Sequence, residues 1–192
     1  ISKAYAGVPA LRDVSFTCVR GQVHALVGEN GAGKSTLIKI LGGAVQADSG
    51  EIVFKGRTFA HLTPRFSLDM GISIIYQELA LSPYLTVAEN IFLGREPNRG
   101  GVIQTRQLRA QAAELLERLH VHIDLDTPVN ELTVAKQQMV EIAKALSRNA
   151  DLIVMDEPSA ILVGEELEQL FRTIKSLQAQ GVTIVYISHR LD

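Results

Sequence analysis

Cysteine is nearly absent from these 192 residues: Cys18 stands alone. No internal disulfide can form, and a reducing compartment is expected. A charge excess is also missing. The 19 basic and 21 acidic residues leave a formal net charge of −2, so nothing drives strong non-specific binding to nucleic acid, and no nucleic-acid partner is expected. No apolar run approaches the ~18 residues of a membrane span. No signal-peptide pattern follows Ile1, and there are no internal repeats or low-complexity tracts. What is present is 46% hydrophobic and 21% charged, the usage of one globular domain, or of one with a small insertion.

Short β-branched runs alternate with helical patterns, which predicts an α/β fold with a largely parallel sheet. Val14–Val19 and Gln22–Val27 read as strands joined by a hairpin turn at Arg20-Gly21. Glu51–Phe54 reads as a third short strand and Gly71–Tyr76 as a buried one. Leu152–Met155 and Val182–Ile187 are apolar nearly throughout, as strands covered on both faces should be. From Leu85 to Asn149 the helical period takes over. Thr86 and Glu89 form a T-x-x-E capping box, and Leu108, Ala112, Leu115, Leu116 and Leu119 mark one helix face. A second face carries Met139, Ile142, Ala143 and Leu146, and REPNRGG at 95–101 is a polar loop between the helices. A helical insertion at 85–149 is therefore expected to interrupt an α/β core formed by 1–84 and 150–192.

Gly28-Glu-Asn-Gly31-Ala-Gly33-Lys34-Ser35 matches G-x-x-x-x-G-K-[ST]. Glycines at these positions let successive backbone N–H groups turn inward on phosphate oxygens, and a helix starting near Lys34 points its positive end at the same anion. Lys34 is expected to reach the β- and γ-phosphates and the Ser35 hydroxyl to bind Mg²⁺. A second site supports the first. LIVMDE at 152–157 is a buried strand ending in two acids, at the end of a parallel strand where ligands gather. Asp156 is expected to hold the Mg²⁺ and Glu157 to polarise the attacking water as general base. A plain Gly-rich turn and two solvated carboxylates are the alternatives.

Taken in order, these and further motifs resemble the nucleotide-binding domains of ABC transporters. The phosphate loop is GENGAGKST. Gln77 in IIYQE sits like the family's Q-loop glutamine, and LTVAKQ at 132–137 sits where the family has LSGGQ. Asp156-Glu157 follows some twenty residues later, Pro158–Leu162 looks like the D-loop, and His189 in YISHR like the switch histidine. HALVGENGAGKSTLIKIL, GISIIYQELALSPYLTVAENIFLGRE and QQMVEIAKALS look most like the N-terminal half of the ATP-binding subunits of bacterial monosaccharide importers. The resemblance covers essentially the whole chain.

It implies the P-loop ABC ATPase fold with a mostly parallel core sheet, a small antiparallel β region and a helical insertion. It further implies that ATP is held by Tyr5 (stacked on adenine), Gly28, Asn30, Gly31, Gly33, Lys34, Ser35 and Thr36, with Thr133 and Ala135 facing the nucleotide of a partner domain. Mg²⁺ falls to Ser35, Gln77 and Asp156, and catalysis to Glu157, His189 and Gln77. The implied partners are a second nucleotide-binding half, membrane permease subunits and, indirectly, a periplasmic sugar-binding protein, with the domain peripheral on the cytoplasmic face of the membrane. Because the chain opens on Ile1 and stops three residues after His189, it is expected to be a domain trimmed at both ends.

The chain also departs from the family. Ala135 replaces the glycine of the signature, where a Cβ adds bulk and penalises positive φ. Lys136 replaces Gln or Glu, and Ile161 and Val163 alter the D-loop. ATP binding is therefore expected to survive better than hydrolysis. A non-transport ABC ATPase, a binding-only regulatory domain and a P-loop kinase are the other readings. The last leaves the Q-loop, signature and histidine together unexplained. His120 and His122 form H-x-H without an evident third ligand and read as structural or solvated. His24 reads as structural, His61 as exposed, Cys18 as a small core residue, and Glu165, Glu166 and Glu168 as acids at a helix N-terminus.

Overall fold

Four aliphatic runs that lie far apart in the chain pair side by side in one parallel sheet. The computed structural model describes residues 1–160 and 162–189. In chain order the elements are β1 (Lys3–Tyr5), β2 (Val8–Leu11), β3 (Val23–Val27), α1 (Lys34–Leu41), β4 (Ile52–Phe54), β5 (Arg57–Phe59), α2 (Pro64–Met70) and β6 (Ile72–Ile75). There follow α3 (Val87–Phe92), β7 (Asn98–Arg99), β8 (Val102–Ile103), α4 (Thr105–Arg118), α5 (Val134–Ser147), β9 (Leu152–Asp156), α6 (Glu165–Ala179) and β10 (Thr183–Ser188). The sheet order is β3-β10-β9-β6, parallel throughout. The pairs β1-β2, β4-β5 and β7-β8 are small antiparallel ladders.

Alternation along the central strands divides the core between the two faces of the sheet. Leu152 and Val154 of β9, with Val185 and Ile187 of β10, pack with α1 residues Leu37, Ile38 and Ile40. Ile153 and Met155 of β9, with Ile184 of β10, pack with Leu170, Ile174 and Leu177 of α6 and with the buried faces of α3, α4 and α5. The helical segment thus shares its core with one face of the sheet. Leu108, Ala112, Leu115, Leu116 and Leu119 are all buried there, as are Met139, Ile142, Ala143 and Leu146. The T-x-x-E capping box is formed: Thr86 Oγ1 accepts from Glu89 N, and Glu89 Oε2 accepts from Thr86 N at 2.8 Å.

Two local expectations change. Val14–Val19 forms no strand. It carries no ladder, and Phe16 and Val19 are exposed. Alternating residues make a strand only when a neighbour supplies hydrogen bonds. Here the preceding residues fold on themselves as β1-β2, turning at Ala6 and Gly7, both with positive φ. Its contacts are sparse: Val14 N donates to Ile1 O, and the His24 Nε2 lies 2.8 Å from Val19 N. His24 is therefore structural, pinning the turn at Arg20-Gly21. The short helix α2 adds to the expected elements, and its start is chemically marked. Thr63 caps it, with Oγ1 accepting from Phe66 N, and Pro64 occupies the first turn.

One buried polar side chain fixes the segment between β6 and the helices. Asn90 is fully buried. Its Nδ2 donates to the carbonyls of Ser82, Leu85 and Thr86, and its Oδ1 accepts from Ser82 N at 2.7 Å. Replacing it takes the partner from Ser82 N and the second hydrogen bond from three carbonyls, which keep their bonds from Leu85 N, Val129 N and the backbone N–H of residue 90, and it leaves a cavity in the interior. Asn90→Ala is expected to lower unfolding free energy by about 2–3 kcal/mol; urea titration followed by circular dichroism measures it, and a loss below about 0.5 kcal/mol would contradict this account.

Candidate active site

Because the four strands are parallel and their ends nearly flush, the loops after them open on one edge. Ser188 pairs with Val27, Ile187 with Asp156, and Met155 with Ile75. The next residues along each strand are Gly28, His189, Glu157 and Tyr76-Gln77. Segments up to 161 residues apart in sequence, Gly28 and His189, thereby meet at the carboxyl ends where α/β sheets bind ligands.

A cleft of about 350 Å³ on this edge is lined by Asn30, Gly31, Gly33, Lys34, Ser35, Thr36, Gln77, Asp156 and Glu157, with Ala10 of β2. Gly33 is the N-cap of α1 and has φ +92°. A Cβ there would lie 2.5 Å from Ala10 O and 2.7 Å from Leu11 Cδ2, so the β1-β2 hairpin can close over the loop only above a glycine. No side chain caps α1 among the described residues. The first-turn N–H groups therefore face the cleft, as an anion site requires. Lys34 Nζ donates to Gly28 O at 2.6 Å and Glu29 O at 2.9 Å, so its ammonium rests on the loop's own carbonyls, within the cradle that phosphate oxygens would fill.

The acids behave differently from each other. Burial holds the Asp156 carboxyl above its ordinary range, and the charge of Glu157 adds to this; Lys34 and Lys39 offset part of it. Burial, then the Asp156 charge, also raises the Tyr76 phenol. Glu157 has a left-handed backbone, φ 51°, fixed by its N–H donating to Ile187 O at 3.0 Å. Non-glycine residues held this way cluster at functional sites. Its Oε1 lies 2.8 Å from His189 Nδ1, so the imidazole orients the carboxylate. Glu157 and Gln77 also line a second cavity of about 300 Å³, with Gln138 and Val134 of α5 and Pro158 and Ala160. Ser35, Gln77 and Asp156 offer oxygen donors in one cleft, the hard set that suits Mg²⁺.

Other expected residues lie elsewhere. Tyr5 ends β1, 46% exposed, with the Lys3 ammonium 5.6 Å from its ring centroid. Thr133 and Ala135 line a separate cavity with His120, His122, Lys136 and Glu165. Thr133 caps α5 by accepting from Lys136 N at 3.4 Å, which leaves its hydroxyl hydrogen free to donate outward. The expected backbone penalty at Ala135 does not arise, since it is the second residue of α5 and is helical. Its methyl packs against the core. Gln137 steadies the approach to this helix, its Nε2 donating to the carbonyls of Val129 and Leu132. Cys18 is half-buried against the core, and His61 is exposed. Glu165, Glu166 and Glu168 occupy the first turn of α6. Val163 is exposed, whereas Ile161 lies outside the described residues.

A profile of the family described as "ABC transporter" matches residues 11–160. The chain is 51% identical over 192 residues to an arabinose import ATP-binding protein of Yersinia pestis, covering all of the chain and 37% of that protein. It is 51% identical to a ribose import ATP-binding protein of Hahella chejuensis, covering 38% of it, and 52% identical to a putative ribose/galactose/methyl galactoside import ATP-binding protein of Burkholderia lata, covering 37%. The chain thus spans well under half the length of these relatives. Among solved structures it resembles a nucleotide-free ATP-binding cassette from an ABC transporter, with TM-score 0.87 and 30% identity over the whole chain and 80% of that cassette. It also resembles a dimeric post-hydrolysis cassette, MJ0796, bound to ADP and Pi, with TM-score 0.81 and 25% identity over 99% of the chain and 85% of the other.

Two outcomes follow from this geometry. The folded state holds the Asp156 proton to higher pH than the unfolded state does. Stability therefore falls as pH rises between the two pKa values, and the ionised carboxylate remains a fixed cost above both. Asp156→Asn is expected to raise the melting temperature of the metal- and nucleotide-free protein at pH 7, by at most about 2 °C because solvent screens the partly exposed carboxylate, a gain that shrinks toward pH 4. A lower melting temperature in differential scanning calorimetry would contradict it. Ala135→Gly removes a helix former without relieving strain, so it is expected to cost up to about 1 kcal/mol and leave ATP turnover within about twofold. A severalfold gain in turnover would instead show that the methyl obstructs the reaction.

Proposed function

The chain belongs to the ABC transporter family, and from that premise we propose that it is an ATP-binding and ATP-hydrolysing cassette that powers import of a monosaccharide through a separate membrane permease. The observation that carries the reading is the single cleft in which Lys34, Ser35, Gln77, Asp156 and Glu157 meet, with His189 bonded to Glu157. The names of the relatives at about 50% identity point to the sugar.

Phosphoryl transfer to water needs positioning and charge neutralisation more than covalent chemistry. The α1 N–H groups and Lys34 bind the phosphates of ATP, with the ammonium leaving the carbonyls of Gly28 and Glu29 to do so. Gly28, Asn30, Gly31, Gly33 and Thr36 shape the cradle, and Tyr5, exposed at the hairpin end, offers its ring to the adenine. Ser35, Gln77 and Asp156 would hold Mg²⁺, which neutralises phosphate charge when bound. Glu157 takes the proton of the attacking water as general base. His189 orients that carboxylate, and Gln77 lines the same cleft as Glu157.

Residues 85–149 serve as the helical subdomain. Thr133 and Ala135 sit apart from Lys34 within one chain, so they complete the site of a second nucleotide-binding half. The dimeric cassette among the structural neighbours supports this arrangement. The cassette acts at the cytoplasmic face of the membrane. No helix of the described residues is long and apolar enough to cross one. In this reading the path for the sugar belongs to permease subunits, with a periplasmic binding protein delivering the sugar to them.

Glu157→Gln in the full-length protein tests the reading. Loss of the base is expected to lower ATP turnover by about 10²–10⁴-fold while Mg²⁺-ATP affinity changes little. Turnover within tenfold of the parent would remove Glu157 from this role.

A further inference from the structure

Tyr186 lies on β10, two residues beyond Ile184 toward the active-site edge, and on the same face of the sheet. It is half-buried there and packs against the core shared with α6. Its ring stacks on Phe171 of α6, with centroids 6.1 Å apart and planes inclined by 30°. Packing and stacking fix the ring, and with it the direction of the hydroxyl. That hydroxyl points at the segment after β9: Tyr186 Oη donates to Ser159 Oγ at 2.5 Å. The chemistry above uses neither residue.

Ser159 belongs to a tight turn that begins at Glu157. Ala160 N donates to Glu157 O at 3.1 Å, closing four residues. Pro158 is buried at the second position, where its ring fixes φ. β10 holds this turn at two points. Glu157 N donates to Ile187 O at 3.0 Å, and two residues later Ser159 meets the hydroxyl of Tyr186, the neighbour of Ile187. One point of attachment locates a turn but leaves it free to tilt; the second removes the tilt. Beyond the turn, Leu162 N donates to Ser159 O at 3.3 Å and Leu162 is buried. The Glu157 carboxylate projects from the start of this turn toward His189 Nδ1, so its direction follows the tilt.

We infer that Tyr186 is a positioning residue for ATP hydrolysis: through Ser159, its hydroxyl sets the tilt of the turn that carries Glu157. The role of Glu157 as base rests on the ATPase reading above; the tether itself does not.

Two measurements on the full-length protein separate the parts. Tyr186→Phe removes the hydroxyl and keeps the stacked ring, Ser159→Ala removes the acceptor, and Ser159→Thr keeps one. In hydrogen–deuterium exchange without nucleotide, Tyr186→Phe and Ser159→Ala are each expected to speed exchange about three- to tenfold in a peptide carrying the Glu157 and Ala160 amides, with Ser159→Thr near the parent. Unchanged exchange in both overturns the tether whether or not the protein hydrolyses ATP. In steady-state kinetics, the same two variants are each expected to lower kcat about 5–20-fold with KM for Mg²⁺-ATP changed less than twofold. The double variant should be no slower than the slower single one, because both remove the same hydrogen bond. Ser159→Thr should stay within twofold of the parent. Faster exchange with unaltered kcat marks a merely structural bond and overturns the inference, as do multiplicative losses or a loss that Ser159→Thr shares. If Tyr186→Phe does not fold, Ser159→Ala and Ser159→Thr decide on both measurements. A parent protein that folds but turns over no ATP defeats the ATPase reading and leaves the exchange result to judge the tether.

Discussion

Parallel pairing in a fixed register governs both the interior and the chemistry of this protein. Parallel neighbours cannot be joined by tight turns, so each strand must be followed by a crossover. Every strand of the β3-β10-β9-β6 sheet therefore releases its chain at the same edge, and the flush pairs Ser188–Val27, Ile187–Asp156 and Ile75–Met155 level the exits. A slip of one residue in β9 would move Asp156 off that edge. It would also exchange Ile153 and Met155 for Leu152 and Val154 across the two halves of the core. The packing that makes the strands stable is thus the packing that places the acids, and neither can drift without the other.

On that edge the fold holds groups in states they would not choose alone. Asp156 is partly buried beside a second carboxylate. Glu157 adopts a left-handed backbone, tied to β10 through Ile187 O and to His189 through its side chain. Lys34 rests on the carbonyls of its own loop, and the first turn of α1 has no side-chain cap among the described residues. Each arrangement is relieved by the ligand the site suits: a cation for the carboxylates, phosphate oxygens for the ammonium and the N–H groups. The aliphatic core beneath, with Ile153, Val154 and Met155 fully buried, keeps these groups in place until then.

Helix α5 extends the same logic sideways. Its first turn is capped by Thr133, its middle lines the cavity beside Gln77 through Gln138, and its later turns grip Ala80 through Lys144. One rigid element thereby connects the cavity lined by Thr133 and Ala135 with the segment carrying Gln77. A helix transmits displacement well because its interior hydrogen bonds resist bending, whereas a loop of the same length would absorb it.

Much of this was legible in sequence. The phosphate loop, the paired acids, the T-x-x-E box and the two-faced apolar strands all report chemistry that needs only neighbours a few residues away: glycines for a tight turn, a hydroxyl three residues before a free N–H, alternation for a pleat. Val14–Val19 misled because its pattern suits a strand while no neighbour among the described residues pairs with it. Ala135 misled because the backbone conformation at a signature position cannot be read from residue type, and it proved helical. Lys144 gave no local signal at all, since its partner is set by packing, with Ala80 lying 64 residues away. Sequence alone therefore determined the local turns, caps and periodicities and the residue types carried by the loop after β3. Tertiary structure alone decided which distant side chains share the cleft and which buried polar groups find partners, because hydrogen bonds and burial across such separations exist only after the chain has packed.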